Sequence, residues 1–262
     1  MRQPTAEDSG MAKQESPLAG QVALVTGAAK RLGRAIAGGL AAEGVHVALH
    51  YRSSGSEAAA EADELRRAGV NAWTLQADLA DPAAAEGLVG KACEAAGAPV
   101  DILVNSASIF SPSSVLEFSP GDLEANVQVN ATSPLLLSRA LACQGRPGQI
   151  VNLLDARIVE YDRAHAAYHL SKRMLFSLTR ILALELAPRV RVNAVAPGLI
   201  LPPPGEDESY LDAMAHGNPL RRHGTADDVV RATLFLLKSD FVTGQVIYVD
   251  GGQNLRGRTY GG

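Results

Sequence analysis

The feature that most constrains the fold of this chain is the alternation of short, continuous apolar segments with longer, alanine-rich amphipathic segments. The apolar segment "QVALVTG" (Gln21–Gly27) is followed by the amphipathic "RLGRAIAGGLAAEG" (Arg31–Gly44), and this pairing recurs along the chain. A strand that is apolar throughout is typical of a parallel sheet covered by helices on both faces. The alternation therefore predicts an α/β fold with a doubly wound parallel sheet, the Rossmann type.

The other predicted elements follow the same alternation. Further strands are predicted at Val45–Tyr51, Asn71–Leu79, Val100–Ala107, Gly148–Leu154, Arg189–Gly198 and Gly244–Gly252, and further helices at Glu57–Gly69, Pro82–Gly97, Leu123–Leu141, Ala164–Leu186 and Asp227–Ser239. The proline-rich segment 201–224 lacks a clean periodicity, and we interpret it as a substrate lid. With no repeat or internal boundary, residues 20–262 are predicted to form one domain, after a disordered leader over residues 1–19.

Composition excludes several classes of protein. The 262 residues are 47% hydrophobic and 20% charged, with a formal net charge of −4 and scattered basic residues, which argues against nucleic-acid binding. No apolar run is long enough for a membrane span, and the polar N-terminus does not resemble a secretory signal. Cys93 and Cys143 fall within helical patterns, so we interpret them as unreactive packing thiols in a cytoplasmic protein.

The turn between the first strand and the first helix predicts a nucleotide site. In "VTGAAKRLGRAIA", Thr26 and Gly27 end the strand and Gly33 lies in the first turn of the helix. Gly27 permits a tight turn, Gly33 allows the helix to approach the sheet, and the free N–H groups of the helix start favour a pyrophosphate. A tight turn with no ligand is the alternative.

The end of the second strand indicates which nicotinamide cofactor is used. An NAD site usually has an acidic residue about 20 residues past the glycines, but this chain has "HYRSS" (His50–Ser54) there. Arg52 can pair with a 2′-phosphate, with hydrogen bonds from Ser53 and Ser54 and further positive charge from Lys30 and Arg31. NADP(H) is therefore predicted, although Arg52 as a solvated loop residue remains an alternative. Asp78 and Leu79 are expected near the adenine, and Asn105, Ser106 and Ala107 near the adenosine ribose.

Tyr168 and Lys172 are candidate catalytic residues. They lie four residues apart and so share a helix face, where the ammonium is expected to lower the pKa of the phenol. A phenol tuned in this way can donate a proton to a hydride acceptor. Asp155, thirteen residues before Tyr168, ends the fifth predicted strand.

Together, "TGAAKRLG", "NSAS", the Asn130 of "VNATSP", "YHLSK" and "NAVAPG" resemble the short-chain dehydrogenase/reductases over about residues 20–253. The resemblance implies a seven-stranded parallel sheet, a homotetramer, and Asn130 as support for a proton-relay water. It implies that Lys172 holds the nicotinamide ribose, that Tyr168 is the acid, and that Pro197 and Gly198 flank the nicotinamide. The predicted cofactor-binding set is Gly27, Lys30, Arg31, Leu32, Gly33, His50, Tyr51, Arg52, Ser53, Asp78, Leu79, Asn105, Ser106, Ala107, Tyr168, Lys172, Pro197 and Gly198.

Two positions depart from the common pattern of that family. Arg31 stands where a glycine is expected, and Asp155 where a serine is expected. Both departures, with "LHYRSS" and "QADL", are similar to the pteridine reductases, and "VNSASIF" resembles their substrate segment, which implies that Ser108 and Phe110 hold a pterin. The C-terminal segment and "GLILPPPGEDESY" resemble the dihydromonapterin reductases equally well.

A carboxylate at position 155 suits a pterin. A carbonyl reductase needs a neutral hydroxyl that donates to a developing alkoxide, whereas a pterin offers C=N bonds and N–H donors. Asp155 can orient the ring or carry a proton together with Tyr168, although capping of a nearby turn is the alternative. Burial would raise the pKa of Asp155 and Lys172 would lower it. The predicted substrate-binding set is Arg31, Ser108, Phe110, Asp155 and Tyr168.

Several other residues have a weaker chemical interpretation. His165 and His169 lie on one helix face, but no third ligand accompanies them, so we expect surface or interface histidines and no metal. Tyr161 and Tyr210 are expected in a pocket wall or loop. The resemblance implies that a C-terminal arginine, Arg256 or Arg258, can reach a neighbouring subunit, with a frayed tail as the alternative.

Three hypotheses follow. The first is an NADPH-dependent reductase of a dihydropterin such as dihydrobiopterin or dihydromonapterin, with dihydrofolate as a further candidate substrate. The second is an NADPH-dependent ketoreductase acting on a 3-oxoacyl thioester or another carbonyl. The third is a non-catalytic NADP(H)-binding protein.

Overall fold

The structure is a computed structural model that describes residues 16–203 and 205–258. Over these residues seven strands form one parallel sheet in the order β3-β2-β1-β4-β5-β6-β7. The strands are β1 (Val22–Val25), β2 (His46–Tyr51), β3 (Ala72–Gln76), β4 (Ile102–Asn105), β5 (Gly148–Leu153), β6 (Val190–Pro197) and β7 (Val246–Val249). The chain reverses its direction across the sheet between β3 and β4, so the predicted doubly wound α/β fold is confirmed.

The helices cover both faces of this sheet. They are α1 (Arg31–Ala42), α2 (Gly55–Arg67), α3 (Pro82–Ala96), α4 (Pro120–Val127), α5 (Ser133–Ala142), α6 (Ala166–Glu185), α7 (Glu208–Ala215) and α8 (Ala226–Lys238). In β1, Ala23 and Val25 pack with α1 and α8, while Val22 and Leu24 pack with α3 and α5. Both faces of the strand are therefore buried, which explains its continuous apolar sequence.

One long helix was predicted over Leu123–Leu141, and the structure divides this stretch. Here α4 starts at Pro120, after a capping box in which Ser119 and Asp122 exchange hydrogen bonds. A π-helical segment, Gln128–Thr132, then joins α4 to α5 without a break in the helical backbone. A single π turn inserts extra residues into a helix and is frequent at functional sites. Asn130 lies within it.

Three further expectations need correction. Leu18 falls in the predicted disordered leader, yet its side chain is buried in the core, while residues 1–15 lie outside the described residues. The segment predicted as an irregular lid contains α7, whose start is capped by Asp207. Cys143 is exposed at the end of α5 instead of packed inside, and both cysteines are free.

Among residues 16–203 and 205–258, no helix combines the length and the apolarity that crossing a membrane requires.

Candidate active site

The carboxyl ends of the parallel strands bring many of the predicted residues to one edge of the sheet. A cavity there is lined by Gly27, Ala29, Lys30, His50, Tyr51, Arg52, Ser53, Ser54, Asp78, Leu79, Ala107, Ser108, Ile109 and Val129. Nine of these belong to the predicted cofactor set, and Ser108 belongs to the predicted substrate set. A cleft at the point where strand order reverses is where open α/β sheets bind their ligands.

The glycines of the first turn are required by its geometry. Gly27 has φ of +65°, and a Cβ there would lie 3.0 Å from the Cα of Ala107. A Cβ on Gly33 would lie only 2.2 Å from the carbonyl oxygen of Gly27, so α1 packs directly on the turn. The hydroxyl of Thr26 accepts hydrogen bonds from the N–H groups of Ser106 and Ala107, at 2.9 and 3.0 Å. These bonds tie β1 to the loop after β4.

Arg31 adopts a backbone conformation that favours glycine. Its φ is +53°, in the left-handed region that costs a side-chain-bearing residue about 1 kcal/mol. Its guanidinium donates to the carbonyl oxygen of Pro202 at 2.9 Å, which connects the glycine turn with the proline-rich segment 201–224. Arg31 does not line the cavity itself.

The end of β2 carries no acidic side chain toward this cavity. Arg52, Ser53 and Ser54 line it instead, and Lys30 at its mouth pairs with Glu57 at 2.7 Å. The hydrogen bond from Lys30 lowers the pKa of Glu57 to about 2. Cationic and hydroxyl groups without an acid fit the 2′-phosphate of NADP better than the free ribose hydroxyl of NAD.

His50 is a structural member of the same wall. It is buried, its Nδ1 accepts from the N–H of Gly27 at 3.2 Å, and its Nε2 lies 3.1 Å from the carbonyl oxygen of Ala77. A donor on one nitrogen and an acceptor on the other require the neutral imidazole with the proton on Nε2. Burial lowers the pKa of His50, which favours the same form.

Part of the predicted cofactor set does not line this cavity. The side chain of Asn105 donates to Asn152 at 2.8 Å inside the sheet, instead of facing the cavity. The other predicted members that do not line this cavity are Arg31, Leu32, Gly33, Ser106, Tyr168, Lys172, Pro197 and Gly198. Conversely, Ala29, Ile109 and Val129 line it without having been predicted, because small or apolar side chains carry no chemical signal in a sequence.

Beside this cavity, Tyr168 and Asp155 form a hydrogen-bonded pair. The hydroxyl of Tyr168 donates to Oδ2 of Asp155 at 2.9 Å. The other carboxylate oxygen accepts from the N–H of Arg157 at 2.7 Å and caps the short 3₁₀ helix Ala156–Val159. Asp155 is thus both a turn cap and a partner of the tyrosine, so the two interpretations are compatible.

The predicted direction of the Tyr168 pKa is wrong. Burial and the neighbouring carboxylate of Asp155 raise the pKa of Tyr168 well above its ordinary value. Lys172 does not pair with the phenol oxygen; its ammonium lies 5.7 Å from the centre of the ring and donates to the carbonyl oxygen of Leu153 at 2.7 Å. Burial lowers the pKa of Lys172 to about 8, although Asp155 opposes this. The tyrosine is therefore held as a neutral phenol that can give up a proton.

Asn130 connects the cavity wall to the helix that carries Tyr168. Its carboxamide oxygen accepts from the N–H of Ile109 at 2.9 Å and from the hydroxyl of Ser108 at 3.1 Å. Its NH₂ group donates to the carbonyl oxygen of Ile109 and to the hydroxyl of Ser171, each at 3.0 Å. The fully buried side chain is thereby saturated. Its role in support of a proton-relay water remains a prediction.

Phe110 lies over the same pair. Its ring contacts Tyr168 edge to face, with centroids 4.6 Å apart, and stacks on His165 at 4.0 Å. Phe110 is 54% exposed as a residue. A partly exposed aromatic side chain next to a proton donor can stack a flat ring.

The remaining candidates differ in burial and in position. His169 is buried instead of on the surface, and Tyr161 is exposed. Among the described residues, no group of three or more His, Cys, Asp or Glu side chains could hold a metal ion. Tyr210 lies in α7 and Arg256 in the last 3₁₀ segment, while the side chain of Arg258 lies outside the described part of the chain.

Comparison with known proteins adds to this geometry. Residues 27–254 match the family model described as enoyl-(acyl carrier protein) reductase. The chain is 36% identical to pteridine reductase 1 from Leishmania tarentolae, over 89% of this chain and 96% of that protein. It is 35% identical to L-xylulose reductase from Bos taurus, over 90% of this chain and 97% of that protein.

The solved structure of FolM alternative dihydrofolate reductase 1 from Brucella canis, complexed with NADP, is also similar. It superposes with a TM-score of 0.85 at 34% sequence identity, covering 94% of this chain and 97% of that one.

Proposed function

This chain belongs to the short-chain dehydrogenase/reductase family and is an NADP-dependent oxidoreductase, and we propose that it reduces a C=N bond of a dihydropterin, such as dihydrobiopterin or dihydromonapterin. Dihydrofolate is a further candidate substrate. The observation that carries the proposal is the 2.9 Å hydrogen bond from Tyr168 to Asp155. A pteridine reductase and an alternative dihydrofolate reductase among the similar proteins support it.

The carboxylate of Asp155 suits a pterin because it only accepts hydrogen bonds when it is ionised. The aminopyrimidinone edge of a pterin carries N–H donors that such an acceptor can orient, whereas a developing alkoxide would be repelled by it. Phe110 offers its exposed ring to the flat bicycle, next to the phenol that holds the proton. Ser108 lines the cavity that would hold NADP(H).

NADP(H) would be held by the glycine turn at Gly27, by Lys30, and by the wall of Arg52 and Ser53, and when bound in its reduced form it supplies a hydride. The chain supplies the proton: the phenol of Tyr168 transfers it to the ring nitrogen next to the carbon that is reduced. Asp155 holds the phenol by its hydrogen bond. Lys172 has a pKa of about 8, so at lower pH its ammonium keeps a positive charge near the ring of Tyr168.

Reduction of a carbonyl is the second candidate, favoured by the similarity to L-xylulose reductase. One experiment separates pterin reduction from carbonyl reduction. The purified protein and NADPH are mixed, in parallel reactions, with dihydrobiopterin, dihydromonapterin, dihydrofolate or an acetoacetyl thioester. We expect NADPH absorbance to fall fastest with a dihydropterin. Turnover of the thioester alone would contradict the proposal, and tight NADPH binding without turnover would favour a non-catalytic protein.

We also propose that the chain assembles as a homotetramer, with α6 in one of its interfaces. Leu170, Met174, Ile181 and Leu184 expose apolar side chains along this helix. An exposed apolar stripe of this kind is typical of a protein–protein contact. The two free cysteines fit a reducing compartment, so a cytoplasmic location is part of the same proposal.

A further inference from the structure

His165 is fixed by a carboxylate that the proposed chemistry does not use. Oδ2 of Asp162 lies 3.0 Å from Nδ1 of His165, while Oδ1 accepts from the N–H groups of Ala164 at 2.8 Å and His165 at 3.1 Å. Burial alone would raise the pKa of Asp162, but these hydrogen bonds outweigh it and leave that pKa below its ordinary value. An ionised carboxylate cannot donate, so Nδ1 carries the proton and the rotation of the imidazole is set.

The imidazole held in this way lies flat against Phe110. The two rings are 4.0 Å apart and inclined by 17°, while Phe110 meets Tyr168 at 85°. His165 and Asp162 have side chains that are only 22% and 14% exposed, whereas Phe110 is 54% exposed. Stacking on His165 therefore covers one face of the phenyl ring, while Phe110 as a whole remains more than half exposed.

The backbone on both sides of Phe110 is tied to other elements by hydrogen bonds. Asn130 binds the N–H and the carbonyl of Ile109. Ser113 donates its N–H to the carbonyl of Ala164, and its own carbonyl accepts from Ala166. What stays undetermined by these contacts is rotation about the side-chain bonds of Phe110.

We propose that His165 is a positioning residue that fixes the ring of Phe110 next to Tyr168 and leaves one ring face free for a flat substrate. The inference rests on the proposed function and adds a residue that determines specificity at the same site. Asp162 acts through His165, and neither residue touches the reacting atoms.

Two substitutions separate the stacking from the hydrogen bond. His165→Gln removes the ring but keeps a group that can bond to Asp162, and His165→Phe keeps a ring but loses that bond. We expect His165→Gln to raise the KM for dihydrobiopterin about three- to tenfold with little change in kcat, since one aromatic contact is lost. We expect His165→Phe to restore most of the wild-type KM.

Fluorine NMR measures the ring position without any substrate. The chain has 5 phenylalanines, so 4-fluorophenylalanine labelling gives few signals, and Phe110→Leu identifies the relevant one. His165→Gln should shift the Phe110 signal. The control is His46→Gln: His46 starts β2, at the edge of the sheet opposite the cavity, so this variant should change neither the signal nor KM.

An unmoved Phe110 signal in His165→Gln would overturn the inference whatever the substrate is. A moved signal with an unchanged KM would overturn it as well, while wild-type pterin turnover would still uphold the proposed function. If the wild-type protein reduces no pterin, the proposed function fails and the substrate role of His165 fails with it.

Discussion

At the scale of single residues, the site depends on the different hydrogen-bond partners of the two oxygens of one carboxylate. Asp155 uses Oδ1 to cap the turn after β5 and Oδ2 to accept from Tyr168. The cap fixes the carboxylate, and the fixed carboxylate then fixes the phenol. A serine at this position has one oxygen and can donate, which suits an alkoxide better than the N–H donors of a pterin.

This pair makes a prediction about ionisation. Asp155→Asn removes the negative charge that, after burial, raises the pKa of Tyr168, so the pKa of the phenol should fall toward its ordinary value. The measurement is an ultraviolet difference titration of the variant and the wild-type protein, with Tyr168→Phe in each background to isolate this tyrosine. An equal pKa in both backgrounds would show that the carboxylate does not act on the phenol.

Lys172 predicts a specific dependence of stability on pH. Its pKa is about 8 in the folded chain against an ordinary value of 10.5. Between these values the folded state has lost a proton that the unfolded state retains, so the free energy of unfolding should rise with pH. In Lys172→Met this contribution is absent. Urea unfolding at several pH values in this window should therefore show a steeper rise for the wild-type protein, and parallel curves would contradict the shifted pKa.

At the scale of secondary structure, the positions of most strands and helices follow from local sequence patterns. The connections and caps that position the site residues do not. The apolar continuity of β1 identifies it as a buried strand from sequence alone. The π-helical segment around Asn130 is different, because the stretch Leu123–Leu141 was predicted as one continuous helix. The cap of α6 cannot be seen in the sequence either. It is supplied by Ser113, which lies in a loop 54 residues before the N–H group of Ala167 that it binds.

That cap gives a prediction at this scale. The hydroxyl of Ser113 accepts from the N–H of Ala167 in the first turn of α6, the helix that carries Tyr168. Ser113→Ala should cost about 1 kcal/mol of folding free energy and also lower kcat, because the start of α6 loosens. Ser119→Ala, at the cap of α4, is the matched control. Urea unfolding of this variant should show a similar loss of folding free energy, while its kcat should be preserved. Equal kcat in both variants would contradict the link between this cap and catalysis.

At the scale of the whole molecule, the fold class and most of the residues that line the cavity at the strand ends were predictable. Parallel strands present their carboxyl ends at one edge, so residues after β1, β2 and β3 had to meet there. The pKa of Tyr168 was predicted with the wrong sign because it depends on burial and on the neighbouring carboxylate of Asp155. Neither quantity is contained in a spacing of four residues.

The proposed assembly is tested at this scale too. Leu184→Glu places a charge in the exposed apolar stripe of α6 and should convert the tetramer into smaller species without unfolding the chain. Light scattering coupled to size exclusion measures the mass, and circular dichroism checks the fold. Glu185→Gln, the next position along, is the control. A wild-type protein that is already monomeric would contradict the assembly.

The measurement that tests the central claim most directly compares Asp155→Ser with the wild-type protein, using NADPH and either a dihydropterin or an acetoacetyl thioester. We predict that the variant loses about 100-fold or more of its pterin turnover, as expected when a group that governs proton transfer is removed, while thioester turnover is kept or raised. An Asp155→Ser variant that reduces the dihydropterin as fast as the wild-type protein would contradict the account, and Asp155 would then be a turn cap alone.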